Sequence, residues 1–306
     1  MASRPQVAVL TRVPPSVLEA LAPHVDLVEG LGDAEAVLVS SGVPIDAALL
    51  AQAPKLKLIA SSSVGYDNVD QQALRARGIA LTNARGSLDE AVADLTYALI
   101  IIAMRRLGGA MAWARDGRWM RGDAPFGNDL EGATLGIVGF GSIGPKIARR
   151  AFASGMRVIY SNRTPRDDDA QTGASWRSFE GLLAEADCVV ALVPLTPATR
   201  GLFGDAAFAA MKPSAVFVNV ARGAIADTGA LLRALDASEI AGAALDVTNP
   251  EPLPPDHPLH GRDDVLIVPH VGSATTQTRT RMAMLAARNV LAFAAGEPLL
   301  TEVALG

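Results

Sequence analysis

Cysteine is almost absent from this chain. A single residue, Cys188, in 306 excludes an internal disulfide and suits a reducing compartment, so the cytoplasm is the expected location. Cys188 stands in the apolar run Cys188 to Val193, which reads as a buried strand and makes it a small core hydrophobe instead of a nucleophile. Charge of one sign is also lacking. The net charge is -5, and no basic tail or stripe offers nucleic acid a binding surface. Long hydrophobic runs are missing as well: the longest, Ala98 to Met104, falls far short of the ~18 residues that span a membrane. Met1 to Leu10 has neither the cationic start nor the long apolar middle of a signal peptide. Histidines number four. His24, His257 and His260 read as structural, and the last two lack the cysteine or histidine partners of a zinc site, so no metal is expected. Internal repeats and low-complexity segments are absent too; five prolines between Pro250 and Pro258 mark a stiff loop.

What is present is half apolar and long enough for two domains of about 150 residues. Valine- and isoleucine-rich runs alternate with helical patterns. Val7 to Leu10, Ala36 to Val39, Leu56 to Ala60 and Ile79 to Leu81 are the expected strands of a first parallel sheet. Ser87 to Leu107 follows as a long helical pattern, with Ser87 and Glu90 spaced as a capping box, and it is a candidate crossing between domains. Gly108 to Asp129 reads as a loop-like arm carrying Trp113, Trp119, Arg115, Arg118 and Arg121, either an interface or local packing. Six further strands begin with Leu135 to Val138 and continue at Arg157, Cys188, Ala215, Ala243 and Val265. A last helix, Thr275 to Ala295, ends at Gly296-Glu297-Pro298. The fold class is therefore α/β, with two Rossmann-like doubly wound parallel-sheet domains: an outer, flavodoxin-like one over 1–95 and 277–306, and a central one over 96–276.

The central domain is organised around Gly136 to Gly144. An apolar strand breaks into Gly139, Gly141, Ser142, Ile143 and Gly144, and a helical segment follows. Glycines in that pattern make a tight turn, admit a pyrophosphate against bare backbone and let helix pack on strand, which makes this a dinucleotide site. An NAD site usually carries an acid about 20 residues further on. Here the second strand ends in Ser161, Asn162, Arg163, Thr164, Pro165 and Arg166, polar or cationic groups that accept a 2′-phosphate, although Asp167, Asp168 and Asp169 follow. NADP(H) is expected in preference to NAD(H), which remains possible.

Arg222, Glu251 and His270 each stand at or just beyond the C-terminal end of an apolar segment, the edge where ligands of an open α/β sheet bind. Arginine suits a carboxylate and its adjacent carbonyl, histidine exchanges a proton near neutral pH, and a neighbouring glutamate fixes its tautomer and favours its charged form.

The segments Ser62 to Asp70, Ala93 to Thr96, Asn219 to Gly223, Asp246 to Leu253 and Pro269 to Thr275, in this order around the glycine loop, resemble the D-isomer-specific 2-hydroxyacid dehydrogenases. Among them, the stretch from Asp246 and the His270 motif look most like glyoxylate/hydroxypyruvate reductases. The resemblance implies reduction of a small 2-oxo acid, with His270 as proton donor, Glu251 as its partner and Arg222 on the substrate. It also implies backbone N–H groups of Val64 and Gly65 on the carboxylate, Asp246 near the nicotinamide, and Val193, Pro194, Val220, Gly272 and Ser273 around the cofactor. Many relatives carry arginine where this chain has Ser142. A homodimer is implied. Formate, phosphite and phosphoglycerate dehydrogenases share the architecture, as do NAD(H)-sensing corepressors; no further regulatory domain is expected before Gly306. Asp94 is left between helix cap and hinge, and Leu88, Met104 or the arm as the shapers of the substrate pocket.

Overall fold

Ala36 to Val39 has every side chain buried, as a strand covered on both faces must. In this computed structural model, which describes residues 4–305, it is the middle strand of a five-stranded parallel sheet. The strands are β1 (Gln6–Val9), β2 (Asp26–Val28), β3 (Ala36–Val39), β4 (Leu58–Ser61) and β5 (Ala80–Thr82), in the order β2-β1-β3-β4-β5. That is the flavodoxin-like winding. One face is covered by the helices Ala47–Gln52 and Gln71–Arg77, the other by Pro15–Leu21 and the long Thr276–Ala295. Thr275 caps the long helix by accepting from the Thr278 N–H, and Gly296, left-handed at φ 68°, closes it. After the helix the chain returns to the sheet edge, where Glu302 bridges Thr82 in antiparallel sense. Only β2 was absent from the sequence expectation. It is a short edge strand with Asp26 and Leu27 exposed, so it leaves no apolar run.

The second unit carries seven parallel strands: β6 (Thr134–Val138), β7 (Arg157–Ser161), β8 (Ser175–Trp176), β9 (Cys188–Ala191), β10 (Val216–Asn219), β11 (Gly242–Leu245) and β12 (Val265–Ile267). Their order, β12-β11-β10-β9-β6-β7-β8, reverses direction between β6 and β9, the switch point at which such sheets bind dinucleotides. Sequence reading yields six of these. β8 is two residues long and exposed, with nothing apolar to announce it. Cys188 is fully buried, and burial pushes its thiol up from its ordinary value.

The units divide as Met1–Leu88 with Ala274–Gly306 and as Asp89–Ser273. The divide falls earlier than 95/96 because the helix Asp89–Met104 packs along β10, β11 and the helix Gly144–Ala153. Two local expectations are corrected. No capping box forms at Ser87, whose hydroxyl donates to the Ala84 carbonyl at 2.6 Å, while Glu90 pairs with Arg149 and Arg150. The arm is no loop: Leu107–Arg115 is α-helical and Arg118–Arg121 a 3₁₀ turn. Its glycine signal has another cause, since a Cβ at Gly109 would meet the Asp263 carbonyl oxygen at 2.7 Å.

The turns after β10 and β11 also meet through a glycine. A Cβ on Gly223 would lie 1.8 Å from the Thr248 carbonyl oxygen, a backbone atom with no room to retreat, whereas one on Gly141 meets nothing within 4 Å. Gly223→Ala is therefore expected to cost about 3 kcal/mol or more in urea unfolding, and Gly141→Ala less than about 0.5 kcal/mol; equal costs would contradict this packing.

Candidate active site

Gly139 turns the chain out of β6 at φ 99°, beyond the reach of an ordinary side chain, and a Cβ there would lie 2.7 Å from the Val193 nitrogen. The chain leaving β6 thus touches the chain leaving β9. Gly144 opens the helix Gly144–Ala153 under Phe140, whose ring a Cβ would meet at 2.5 Å. Between them Gly141 and Ser142 are exposed and Ile143 is the N-cap residue; Pro145 has no N–H and Lys146 N donates to the Ile143 carbonyl at 3.0 Å, so the N–H groups of Ile143 and Gly144 are the ones without an acceptor among the described residues. That is the cradle the first sequence expectation requires.

In the segment after β7, two of the polar side chains are tied to the glycine turn. The Asn162 amide is engaged with the backbone of the glycine turn, accepting from Phe140 N at 2.7 Å and donating to Phe140 O at 3.3 Å. Arg166 donates to the same carbonyl at 3.0 Å, lies 5.8 Å from the centre of the Phe140 ring, and forks onto Asp168 at 2.6 and 2.7 Å. Arg166 in turn holds the Asp168 carboxyl below its ordinary value. Arg163 and Thr164 stand exposed, and Arg163 makes no hydrogen bond or ion pair among the described residues.

Three neighbouring strands deliver the titratable groups. Asn219, the buried last residue of β10, accepts from Ala221 N at 3.1 Å and donates to the Arg222 carbonyl at 3.0 Å, which fixes the turn bearing half-buried Arg222. Beyond β11, buried Asp246 accepts from the N–H groups of Val271 and Gly272 at 2.6 and 3.0 Å, and its carbonyl accepts from His270 N at 2.8 Å. Burial pushes the Asp246 carboxyl above its ordinary value against the pull of those two donors. So tied, His270 takes the left-handed conformation at φ 52°, rare for a side chain of its size. Its Nδ1 then lies 2.6 Å from Glu251 Oε1, while Glu251 Oε2 accepts from Thr248 N at 3.3 Å. His270 and Glu251 both remain about two-fifths exposed, so the pair faces solvent and is open to a ligand.

His270 and Glu251 are thus brought into contact, and Arg222, Val220, Asp246, Gly272 and Ser273 lie at the ends of the same three strands. Val193 and Pro194 follow β9, next to the glycine turn. Sequence reading passed over two supports. Asn219 and the anchoring of the glycine turn by Asn162 and Arg166 act through backbone atoms, for which residue type gives no signal beyond a polar residue at a strand end. Asp94, left open between cap and hinge, lies inside the helix Asp89–Met104 and so is no cap, and its carboxylate pairs with Arg150. His257 accepts from Leu259 N at 3.3 Å, a local structural contact. Val64 and Gly65 belong to the first unit, in the turn that follows β4. Neither N–H donates to another group among the described residues.

Residues 97–272 match the model of the D-isomer specific 2-hydroxyacid dehydrogenase NAD-binding domain. A glyoxylate reductase of Aeropyrum pernix is 43% identical, covering 96% of this chain and 94% of its own length. A glyoxylate/hydroxypyruvate reductase B of Klebsiella pneumoniae is 42% identical over 86% of this chain and 82% of its own. Among solved structures, an NADPH-dependent glyoxylate/hydroxypyruvate reductase from Sinorhizobium meliloti, in complex with NADP and malonate, superposes with a TM-score of 0.89 at 35% identity, covering 99% of this chain and 98% of that one. Fold, glycine cradle and relatives agree: the chain belongs to the D-isomer specific 2-hydroxyacid dehydrogenase family and is an NAD(P)-dependent dehydrogenase of the glyoxylate/hydroxypyruvate reductase type.

Proposed function

We propose that this enzyme reduces glyoxylate and hydroxypyruvate to their 2-hydroxy acids, with NADPH preferred to NADH. The observation that carries the reading is the 2.6 Å contact between His270 Nδ1 and Glu251 Oε1 at the ends of adjacent strands. A carboxylate on Nδ1 fixes the ring's tautomer and orientation and leaves Nε2 as the nitrogen that faces substrate. His270 then gives its Nε2 proton to the oxygen of the reduced carbonyl, and Glu251 holds the ring in place throughout. Arg222 binds the substrate carboxylate and polarises the carbonyl, because its fork is permanently charged and reaches two oxygens. The backbone N–H groups of Val64 and Gly65 are uncharged donors of the kind that hold a carboxylate, and we read them as substrate-binding. The open space at Gly141 and the helix N-terminus beyond it suit the pyrophosphate of a nicotinamide dinucleotide, with Ser142, Ile143, Val193, Pro194, Val220, Asp246, Gly272 and Ser273 around it. When bound, that cofactor supplies the hydride.

The preference for NADPH rests on Arg163. It is exposed and has no partner among the described residues, whereas Arg166 and Asn162 are committed to the glycine turn and act by stiffening it. Thr164 adds a hydroxyl donor beside Arg163. The relative from Sinorhizobium meliloti, described as NADPH-dependent and solved with NADP, supports the reading. A homodimer is proposed through the arm, where Met111, Trp119, Met120 and Phe126 are 69%, 71%, 91% and 87% exposed, more apolar surface than a lone chain usually leaves bare.

In a spectrophotometric assay NADPH is expected to be oxidised on addition of glyoxylate or hydroxypyruvate, and His270→Ala to lose roughly 10²-fold or more of that rate. An unreactive wild type with both substrates, or a fully active variant, refutes the assignment. Arg163→Ala is expected to lower kcat/KM for NADPH about tenfold and leave that for NADH little changed. Equal use of both cofactors by the wild type ends the claim of preference. By light scattering the wild type is expected at twice the chain mass and Trp119→Ser/Met120→Glu/Phe126→Ser at one; a variant that stays double removes the arm from the interface.

A further inference from the structure

Three buried polar residues of the first unit are joined by hydrogen bonds through side chains and backbone. Asn289, on the helix Thr276–Ala295, is completely buried; Thr301 and Asn83 are 8% and 6% exposed. Asn289 Nδ2 donates to Thr301 Oγ1 at 2.9 Å, and its Oδ1 accepts from the N–H groups of Leu300 and Thr301 at 2.9 and 3.2 Å. Thr301 Oγ1 donates to the Asn83 carbonyl at 2.6 Å, and Asn83 N donates back to the Thr301 carbonyl at 3.2 Å. Asn83 Nδ2 then reaches out of this group to the Val64 carbonyl at 2.9 Å. The next residue repeats the pattern, since Ala84 N donates to the Ser63 carbonyl at 2.9 Å.

The consequence follows from the planarity of the peptide unit. In a trans peptide the C=O of one residue and the N–H of the next point in opposite directions. Holding the Ser63 carbonyl toward Ala84 aims the Val64 N–H away from that segment, and holding the Val64 carbonyl toward Asn83 aims the Gly65 N–H the same way. Both donors thus point away from Asn83 and Ala84 and are unspent among the described residues, as donors to a carboxylate must be.

We infer that Asn83, Thr301 and Asn289 are positioning residues for substrate binding: a buried relay through which the terminal helix and the returning C-terminal segment aim the N–H groups of Val64 and Gly65 at the substrate carboxylate. The inference rests on the reading of Val64 and Gly65 as carboxylate donors. The relay makes no use of side-chain charge, and cutting it leaves the catalytic groups of the second unit untouched. Its signature is a rise in KM for the 2-oxo acid while kcat and the KM for NADPH stay in place.

The test combines kinetics with hydrogen exchange. Asn83→Ala is expected to raise KM for glyoxylate about tenfold, and Thr301→Val, which removes only the relay hydroxyl, roughly fivefold, each with kcat and the KM for NADPH within about twofold of wild type. Thr82→Val, at the end of β5 just before Asn83, loses a buried hydroxyl that has no partner among the described residues and is expected to change none of these. In the wild type, oxalate with NADP+ should slow amide exchange across residues 62–66, and exchange there in the free protein should be faster in both relay variants. If oxalate leaves those amides unprotected in the wild type, the carboxylate reading fails and the relay falls with it. Protection in the wild type together with unchanged KM and unchanged exchange in Thr301→Val overturns the relay alone. So does a parallel loss of kcat, cofactor affinity and melting temperature, which marks a merely structural role.

Discussion

One buried carboxylate decides where the histidine goes. Asp246 leaves β11 and accepts from two successive N–H groups, those of Val271 and Gly272, on the chain leaving β12. Its own carbonyl takes the N–H of His270. Three bonds to three consecutive residues leave the segment no freedom, and they hold His270 in a left-handed conformation that costs energy for any side chain. The cost is local and the return is direction: the imidazole is turned onto Glu251. Burial works against the charge on Asp246, and the two N–H donors offset that penalty only while the segment stays closed around them. The arrangement is therefore cooperative, with the acid stabilised by the turn it stabilises.

The same economy of backbone holds at the other corners. Arg222 is fixed by the Asn219 amide bridging its turn, and Gly223 lets that turn approach Thr248 more closely than any side chain permits. Thr248 N in turn donates to Glu251. A continuous line of contacts thus runs from the β10 turn through the β11 turn to the imidazole on the β12 turn. Parallel strands lie about 4.8 Å apart, so their ends alone bring side chains near one another but do not orient them. Orientation comes from these turn-to-turn contacts.

What the residues alone disclosed follows from where the burial energy lies. β3, β6, β9 and β10 are four or five fully buried residues, nearly all of them apolar, and their runs end within two residues of the observed strands. β2 and β8 escaped because they bury little and are held by ladder bonds that no side chain advertises. The polar residues at the ends of β10, β11 and β12 were legible because a charged group beside an apolar strand end needs a reason. Asn162 and Arg166 have a role that their types do not disclose. Their types suit a phosphate, but their hydrogen bonds go to the Phe140 backbone, and main-chain acceptors have no letter in a sequence. Ser87 illustrates the limit of local motifs: its hydroxyl had a nearer carbonyl at Ala84 than any helix N–H.

The two units contribute chemically different kinds of group to the proposed reaction. The second holds every titratable side chain in it, arranged at strand ends where a proton can be lost and regained. The first offers only peptide N–H groups, which do not titrate and whose directions are set by carbonyls bonded to Asn83 and Ala84. For binding an anion this division has a physical logic. Amide dipoles attract a carboxylate without adding a titratable charge of their own. Buried asparagines and a threonine suit the task of holding them, because they are uncharged and fully hydrogen-bonded, and so rigid across the pH range in which the histidine works.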